Sequence, residues 1–208
     1  MSQTPPRSAV TQKGRHDSVK VLLSEQQLRD GVARIAREIA SLYQGRPVTI
    51  VGVLTGSVVL LADLIRQLDL PLRVGVVQAS SYRGATTSRS ELIINSELML
   101  DITGRDVLLV DDIFDTGHTL VEVIARLEEF HPKSIRSVVL LRKRGRQEVE
   151  VEPDFVGFEI PDEFVVGYGL DYEDAYRNLP YVAALDPEDL ARHGAERAAA
   201  TGDGQVEP

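Results

Sequence analysis

The sequence has no cysteine, no long apolar run and no excess of positive charge, and each absence excludes a class of protein. A chain without cysteine can form no disulfide, so it is not a disulfide-stabilised secreted domain. No apolar run approaches the roughly 20 residues of a membrane-spanning helix. A formal net charge of −9 argues against a basic surface for nucleic acid. We therefore expect a cytoplasmic protein with no membrane and no nucleic-acid partner.

The two ends of the chain differ in composition from its centre. Residues 1–17 are polar, contain Pro5 and Pro6, and lack the apolar segment of a signal peptide. Residues 186–208 are rich in alanine, glycine and acidic side chains. We predict a disordered N-terminal tail (1–17), one domain (18–185) and a flexible acidic C-terminal tail (186–208). A hydrophobic content of 43% is sufficient for a substantial core in that domain.

Residues 107–120 read VLLVDDIFDTGHTL and combine the features of a ligand-binding turn. Four apolar residues predict a buried parallel strand, 107–110, and Asp111 and Asp112 follow at its carboxyl end. After a polar loop, an apolar helical face is predicted by Leu120, Val123, Ile124, Leu127 and Phe130. This succession of strand, acidic turn, loop and helix is typical of the ligand site in open α/β sheets.

The polar loop of residues 115–119, DTGHT, is suited to a phosphate monoester. Backbone N–H groups at a helix N-terminus are unpaired, and the helix dipole favours negative charge there. The nearby carboxylates would repel a phosphate unless they hold sugar hydroxyls, Mg²⁺ or a developing cation. A phosphorylated sugar that gains positive charge during reaction satisfies both requirements.

Other interpretations of the same stretch are weaker. No Gly-Lys-Ser/Thr follows the strand, as a Walker loop requires. Ile113 stands at the third loop position, where an EF-hand needs an oxygen ligand. A haloacid-dehalogenase-like phosphatase needs a second Asp where Gly117 stands. A purely structural alternative is that Asp115 and Thr116 cap the following helix.

The rest of the chain repeats the pattern of strand, turn and helix. Ser24 and Gln27 form a capping box, which predicts a helix with Leu28, Val32, Ile35, Ile39 and Leu42 on its apolar face, ending at Gly45. A strand at 48–54 precedes a polar turn and a helix over 58–68. Further strands are predicted at 73–80, 135–141, 155–160, 164–168 and 181–185, with a hairpin at 92–100. The polar segment 81–90 has the length of an active-site lid.

A basic cluster, Arg142, Lys143, Arg144 and Arg146, follows the strand at 135–141. It stands at the carboxyl end of a strand, and therefore at the same rim of the sheet as Asp111. The alternative interpretation is a solvated edge, which is the usual role of such clusters.

The stretch at 107–120 resembles the phosphoribosyl-diphosphate (PRPP) binding signature of the type I phosphoribosyltransferases. Residues 153–172, PDFVGFEIPDEFVVGYGLDY, and the later 176–179, YRNL, resemble the hypoxanthine-guanine phosphoribosyltransferases. The resemblance extends from 48 to 185. It implies an α/β fold with a central, mostly parallel sheet flanked by helices and a small hood subdomain. It also implies purine salvage: Mg²⁺-dependent transfer of the 5-phosphoribosyl group from PRPP to hypoxanthine or guanine, giving IMP or GMP and pyrophosphate.

The resemblance also implies roles for individual residues around PRPP. Asp115 would be the general base at purine N7, and Asp171 would bind Mg²⁺ together with Asp111 and Asp112, which also hold the ribose. A non-proline cis peptide is implied in the pyrophosphate loop. The residues implied to contact PRPP are Thr55 and Gly56 of that loop, Ser81 and Tyr82 of the lid, Asp111, Asp112, Ile113 and Asp115, Thr116, Gly117, His118 and Thr119 of the 5′-phosphate loop, and Asp171 and Arg177.

Recognition of the base is implied for three residues. Lys143 would donate to O6 of a 6-oxopurine, Phe164 would stack on the ring, and the Val165 backbone would contact its Watson–Crick edge. In adenine, a 6-amino group would face the Lys143 ammonium, so that two hydrogen-bond donors would meet and a polar group would be left unpaired. The alternative for Phe164 is a core aromatic residue.

Two other functions fit the same motifs. A PRPP-sensing regulator would keep the fold without catalysis, and a phosphoribosyltransferase could prefer xanthine or another base. The family resemblance also implies a homodimer or homotetramer.

Overall fold

The computed structural model describes residues 19–81, 92–94 and 100–186, with the backbone alone for 79–81 and 92–94. The predicted tails, the lid from Tyr82 onward and the turn of the predicted hairpin lie outside the described residues. Within the described part of the chain, no helix is long and apolar enough to cross a membrane.

Nine strands and three helices make up the described residues. Their bounds are β1 Lys20–Leu23, α1 Glu25–Tyr43, β2 Val48–Leu54, α2 Val58–Ile65, β3 Leu72–Ser81, β4 Leu92–Ile94, β5 Asp106–Phe114, α3 His118–Glu128, β6 Ser134–Lys143, β7 Phe155–Ile160, β8 Phe164–Val166 and β9 Val182–Leu185.

Six strands form the main sheet, in the order β4-β3-β2-β5-β6-β7. The pairs from β3 to β7 are all parallel, and β4 joins the edge antiparallel to β3. A separate antiparallel sheet, β1-β9-β8, is the predicted hood. The predicted fold class, a mostly parallel sheet with a small hood, is confirmed.

Burial on both faces explains the unbroken apolar sequence of the central strands. In β5, Leu108 and Val110 belong to the core shared with α1 and α2, whereas Val107 and Leu109 belong to the core shared with α3. Successive side chains of a strand point to opposite faces, so a strand covered on both sides must be apolar throughout.

Helix α1 begins as the capping box predicts. The Ser24 hydroxyl accepts a hydrogen bond from the Gln27 backbone N–H, and the Gln27 side chain accepts one from the Ser24 N–H. The last helical residue is Tyr43, and Gln44 follows as the C-cap in the left-handed conformation, just before Gly45. Leu42 was predicted on the buried face, which is wrong: it is 41% exposed, and Tyr43 is buried instead.

Other predicted boundaries and faces also differ from the structure, as three elements show. Strand β5 continues to Phe114, because its pairing with β6 extends that far, so Asp111 and Asp112 lie inside the strand rather than after it. Helix α2 ends at Ile65 rather than at 68. Helix α3 ends at Glu128, so Phe130 lies beyond the apolar face and is 38% exposed.

Candidate active site

The parallel pairing of β2 with β5 places the turn after β2 against the acidic pair of β5. A Cβ atom on Gly56 would overlap the carboxylate of Asp112, so only glycine allows this close approach. The peptide bond between Leu54 and Thr55 is cis, and it lies in the loop where the family resemblance implies one. The predicted pyrophosphate loop and the predicted ribose-binding carboxylates are therefore neighbours.

Asp111 and Asp112 are two adjacent carboxylates with few compensating contacts. Asp111 accepts a hydrogen bond from the Asp112 backbone N–H at 3.0 Å, and Asp112 accepts one from the Ile113 N–H at 2.9 Å. In the described residues neither forms an ion pair with lysine or arginine. Burial, followed by the charge of Asp112, raises the pKa of Asp111 well above its usual range, and burial raises the pKa of Asp112.

Such a pair attracts a hard cation or hydroxyl groups. Carboxylate oxygens without a cationic partner are the donors that Mg²⁺ takes in proteins, so the chemistry of the pair fits that ion. However, the three predicted metal residues do not form one cluster: in the described residues, no three His, Cys, Asp or Glu side chains are grouped closely enough to hold a metal ion. Asp171 instead contacts Arg177, with 2.8 Å between Oδ1 and NH2.

The predicted phosphate loop forms a cradle at the start of α3. Gly117 is the N-cap, with φ of 91°, and no side chain caps the helix, so the interpretation of Asp115 and Thr116 as caps is wrong. A Cβ on Gly117 would overlap Val149 and the ring of Phe114. A cavity of about 130 Å³ opens over the loop, and its lining residues are Asp111, Ile113, Phe114, Asp115, Thr116, Gly117, Thr119, Leu120 and Val139.

The segment after β6 packs on this loop. The Glu148 backbone N–H donates to the Thr116 carbonyl at 3.0 Å, and the His118 ring nitrogen Nε2 lies 3.0 Å from Oε2 of Glu148. The His118 side chain is therefore held at Glu148, while its backbone belongs to the cradle.

Asp115, the predicted general base, lies between two cations. Its Oδ2 is 3.3 Å from Nζ of Lys143, and its Oδ1 is 3.0 Å from Nε of Arg146. The structure thus brings together the predicted base and the lysine predicted to recognise purine O6. The basic cluster is not merely a solvated edge, since the Lys143 side chain is only 12% exposed.

The hood contributes an exposed aromatic ring at an edge strand. Phe164 is 42% exposed, so the alternative of a core aromatic is wrong. Its ring meets that of Tyr172 edge to face, with the centroids 5.4 Å apart. Val165 is buried and lies in β8, which is an edge strand of the hood sheet and so presents backbone groups away from β9.

A turn of the hood packs on the predicted pyrophosphate loop. A Cβ on Gly169 would overlap the Gly56 carbonyl, and the Gly169 carbonyl accepts a hydrogen bond from Arg177 at 2.8 Å. This contact brings Arg177 towards the predicted pyrophosphate site. Ser81 ends β3, and Tyr82 lies outside the described residues.

Residues 18–173 match the family model of the phosphoribosyl transferase domain. The hypoxanthine-guanine phosphoribosyltransferase of Staphylococcus aureus is 40% identical over 173 residues, which cover 83% of this chain and 97% of that protein. The chain belongs to the hypoxanthine-guanine phosphoribosyltransferase family. The family identification made from the sequence is confirmed.

Two further relatives extend the comparison. The bifunctional protein TilS/HprT of Listeria monocytogenes is 42% identical over 173 residues, covering 83% of this chain, but the matched region is only 27% of that longer protein. The structure of the Trypanosoma cruzi hypoxanthine phosphoribosyl transferase superposes with a TM-score of 0.79 at 36% identity, covering 85% of this chain and 95% of that one.

For a hypoxanthine-guanine phosphoribosyltransferase, two features of the site were not found by sequence reasoning. Arg146 was predicted only as part of the basic cluster and Asp162 was given no role, yet Arg146 contacts Asp115, and Asp162 contacts Lys143 and Arg146. The sequence signals were weak: Arg146 is the third arginine of a basic run, and Asp162 is an acid after proline. The roles implied for individual site residues stay predictions.

Proposed function

We propose that this chain transfers the 5-phosphoribosyl group from PRPP to hypoxanthine or guanine, in a Mg²⁺-dependent reaction that yields IMP or GMP and pyrophosphate. The observation that carries the proposal is the pairing of Asp115 with Lys143 beside the phosphate cradle, with 3.3 Å between Oδ2 and Nζ.

The pair matches one edge of a 6-oxopurine. Such a base presents N7 and O6 side by side on the same edge. A carboxylate beside an ammonium group offers an acceptor for the N7 proton and a donor for O6 in the matching order. The 6-amino group of adenine would face the ammonium of Lys143 as a second donor, which favours a 6-oxo base.

The acidic pair and the cradle account for the other substrate. The N-terminus of α3 and the Gly117 turn suit the 5′-phosphate, while Asp111 and Asp112 suit the ribose hydroxyls. The acidic pair and Asp171, which do not form one cluster, would each offer carboxylate oxygens to Mg²⁺, and the bound ion would neutralise the diphosphate as a leaving group. Arg177 lies against Asp171, with 2.8 Å between Nη2 and Oδ1, and would contact the same diphosphate.

The reaction then needs one proton acceptor. N9 of the base forms a bond to C1′ of the ribose as the bond from C1′ to the diphosphate oxygen breaks. C1′ gains positive charge, which the neighbouring carboxylates stabilise. The N7 proton passes to Asp115, so the imidazole part of the purine is uncharged in the nucleotide product.

The test is a parallel assay of hypoxanthine, guanine, xanthine and adenine with PRPP and Mg²⁺, with nucleotides separated by chromatography. We expect IMP and GMP, and no AMP. Asp115→Asn is the matched variant, because it keeps the size of the side chain and removes the base. It should lower turnover by roughly 10²–10⁴-fold. If only xanthine gave nucleotide, the proposed preference for hypoxanthine and guanine would be wrong. If none of the bases gave nucleotide, the whole proposal would be overturned.

A further inference from the structure

Four charged side chains form an ion cluster beside the phosphate cradle: Asp115, Lys143, Arg146 and Asp162. Besides its contact with Asp115, Lys143 lies 3.5 Å from Oδ1 of Asp162. The Arg146 Nε likewise contacts both carboxylates, at 3.0 Å for Asp115 and 3.7 Å for Asp162. Each of the two cations therefore has two carboxylate neighbours, and each carboxylate has two cations.

The two cations use different oxygens of Asp115. Arg146 donates from Nε to Oδ1, and Lys143 donates to Oδ2. The hydrogen bond and the charge of Asp115 raise the pKa of Arg146, which therefore stays cationic throughout the physiological range. Because arginine donates in fixed directions, this contact sets the rotation of the carboxylate and leaves Oδ2 directed towards Lys143 and the purine edge.

Asp162 is the second carboxylate neighbour of both Lys143 and Arg146. When a purine enters, O6 and N7 replace the direct contact between Lys143 and Asp115. The Lys143 side chain is largely buried, and a cation in such a place needs a remaining carboxylate neighbour. Asp162 supplies that neighbour for both Lys143 and Arg146.

We propose that Arg146 is a positioning residue for the general base, holding Oδ1 of Asp115 so that Oδ2 is oriented to accept the purine N7 proton. This inference rests on the proposed function.

The cluster should matter for turnover more than for folding. The side chain of Arg146 is 43% exposed and that of Asp115 is 37% exposed. Ion pairs with this exposure contribute little to stability, at most about 1 kcal/mol. Misorientation of a catalytic group costs much more, up to about 10²-fold in rate.

The experiment compares Arg146→Gln with Arg144→Gln in steady-state assays with hypoxanthine and PRPP. Arg144 is the matched control, since it carries the same charge two residues away, is 69% exposed and pairs with Glu159. Arg146→Gln should lower kcat by roughly 10- to 100-fold, with KM for PRPP changed less than about threefold. Arg144→Gln should leave both constants near those of the unchanged chain.

A double-mutant cycle distinguishes positioning from a general structural effect. If Arg146 acts through Asp115, Arg146→Gln should cost less than about threefold in the Asp115→Asn background, because the group it positions is gone. Arg146→Lys should restore part of the activity. Equal losses in both backgrounds, or a kcat for Arg146→Gln equal to that of Arg144→Gln, would overturn the inference alone. Absence of nucleotide formation by the unchanged chain would overturn the proposed function and the inference together.

Discussion

At the scale of single residues, the acidic pair of β5 is a place where function opposes stability. Asp111 is 6% exposed, and a second carboxylate follows it directly in the strand. Ionising a buried carboxylate without a cationic partner is costly. The pair is explained by what binds it rather than by what it contributes to folding.

Asp111→Asn should therefore stabilise the metal-free protein while it lowers turnover. The folded-state pKa of Asp111 is raised, so the folded state loses stability as pH rises above the ordinary range of Asp, at about 4. Asparagine keeps the acceptor without that loss. At pH 7.5 with a chelator, we expect a gain of at least about 1 kcal/mol, or about 2–4 °C in melting temperature. The gain should shrink towards pH 4.

The control for this prediction is Asp101→Asn. The Asp101 carboxylate accepts a hydrogen bond from the Thr103 backbone N–H at 3.0 Å, and that bond lowers its pKa. Removing its charge should bring no stabilisation at any pH. Equal melting temperatures for Asp111→Asn and the unchanged chain at pH 7.5 would contradict the prediction.

Gly56→Ala tests the close approach of the two loops. Its Cβ would overlap the Asp112 carboxylate, which must then move away from the predicted ribose site. We expect kcat/KM for PRPP to fall by roughly 10- to 100-fold, because small displacements of positioned groups are costly. Gly75→Ala is the control, since its Cβ would be 3.4 Å from Leu100, close to ordinary contact. If Gly56→Ala and Gly75→Ala had similar kcat/KM values for PRPP, the close approach of Gly56 to Asp112 would not be needed for activity.

Residue types that carry chemistry were visible in the sequence because they follow apolar strands. Asp115 and Lys143 lie at the carboxyl ends of β5 and β6, which the parallel sheet brings to one rim, and Asp111 lies inside β5 near that rim. Arg146 and Asp162 were not visible as site residues, because loop conformation brings Arg146 to Asp115, and Asp162 to Lys143 and Arg146. No periodicity records that conformation.

At the scale of elements, the helices and parallel strands were predictable, whereas their ends were less so. The continuous apolar runs of β2 and β5 required burial on both faces, which the two core clusters provide. Strand β1 was not predicted, because four residues carry little signal and their partner β9 lies far along the chain. Strand β5 extends past its apolar part because β6 pairs with it as far as Phe114.

The starts of β5 and β6 are joined by one carboxylate, Asp106. It accepts a hydrogen bond from the Ser134 hydroxyl at 2.6 Å and contacts Lys133 and Arg46 at 3.1 and 3.4 Å. The Ser134 hydrogen bond, followed by the Lys133 contact, lowers the pKa of Asp106. A lowered folded-state pKa gives stability that is present above the ordinary pKa of Asp and is lost as pH falls through the folded-state value.

Asp106→Asn should destabilise the protein at pH 7 by about 1.5–3 kcal/mol, the contribution of a hydrogen bond to a charged group. Denaturant unfolding at pH 7 and at pH 3 measures the loss, which should shrink at the lower pH as the unchanged chain becomes protonated. Glu129→Gln is the control, because its pair with Arg126 is surface-exposed and such pairs contribute at most about 1 kcal/mol. A loss independent of pH would contradict the role of the charge.

At the scale of the whole molecule, the hood sheet and the main sheet share one core. Val165, Tyr168 and Val182 of the hood belong to the same buried cluster as Leu60 and Leu64 of α2. The hood therefore places Phe164 and Arg177 relative to the rim of the main sheet. The predicted homodimer or homotetramer, the domain bounds and the two tails stay predictions.

A single hydrogen bond between the hood and α2 offers the test of this coupling. The Tyr168 hydroxyl donates to Oδ2 of Asp63 at 2.6 Å, and burial, followed by this bond, raises the pKa of Tyr168. Tyr168 adjoins Gly169, which packs on Gly56 of the predicted pyrophosphate loop. Tyr168→Phe keeps the ring and removes the bond, so it should cost about 1.5–3 kcal/mol in the free energy of unfolding. We also expect a higher KM for PRPP.

Arg66→Gln is the control for this variant. Arg66 is also paired with Asp63, at 3.4 Å, but its side chain is 77% exposed. Loss of this exposed ion pair should change neither the stability nor the KM for PRPP beyond experimental error. If Tyr168→Phe lowered stability but left KM for PRPP unchanged, the bond would serve folding alone. A rise in KM would mean that the position of the hood turn contributes to the pyrophosphate site, since phenylalanine preserves every apolar contact of the ring.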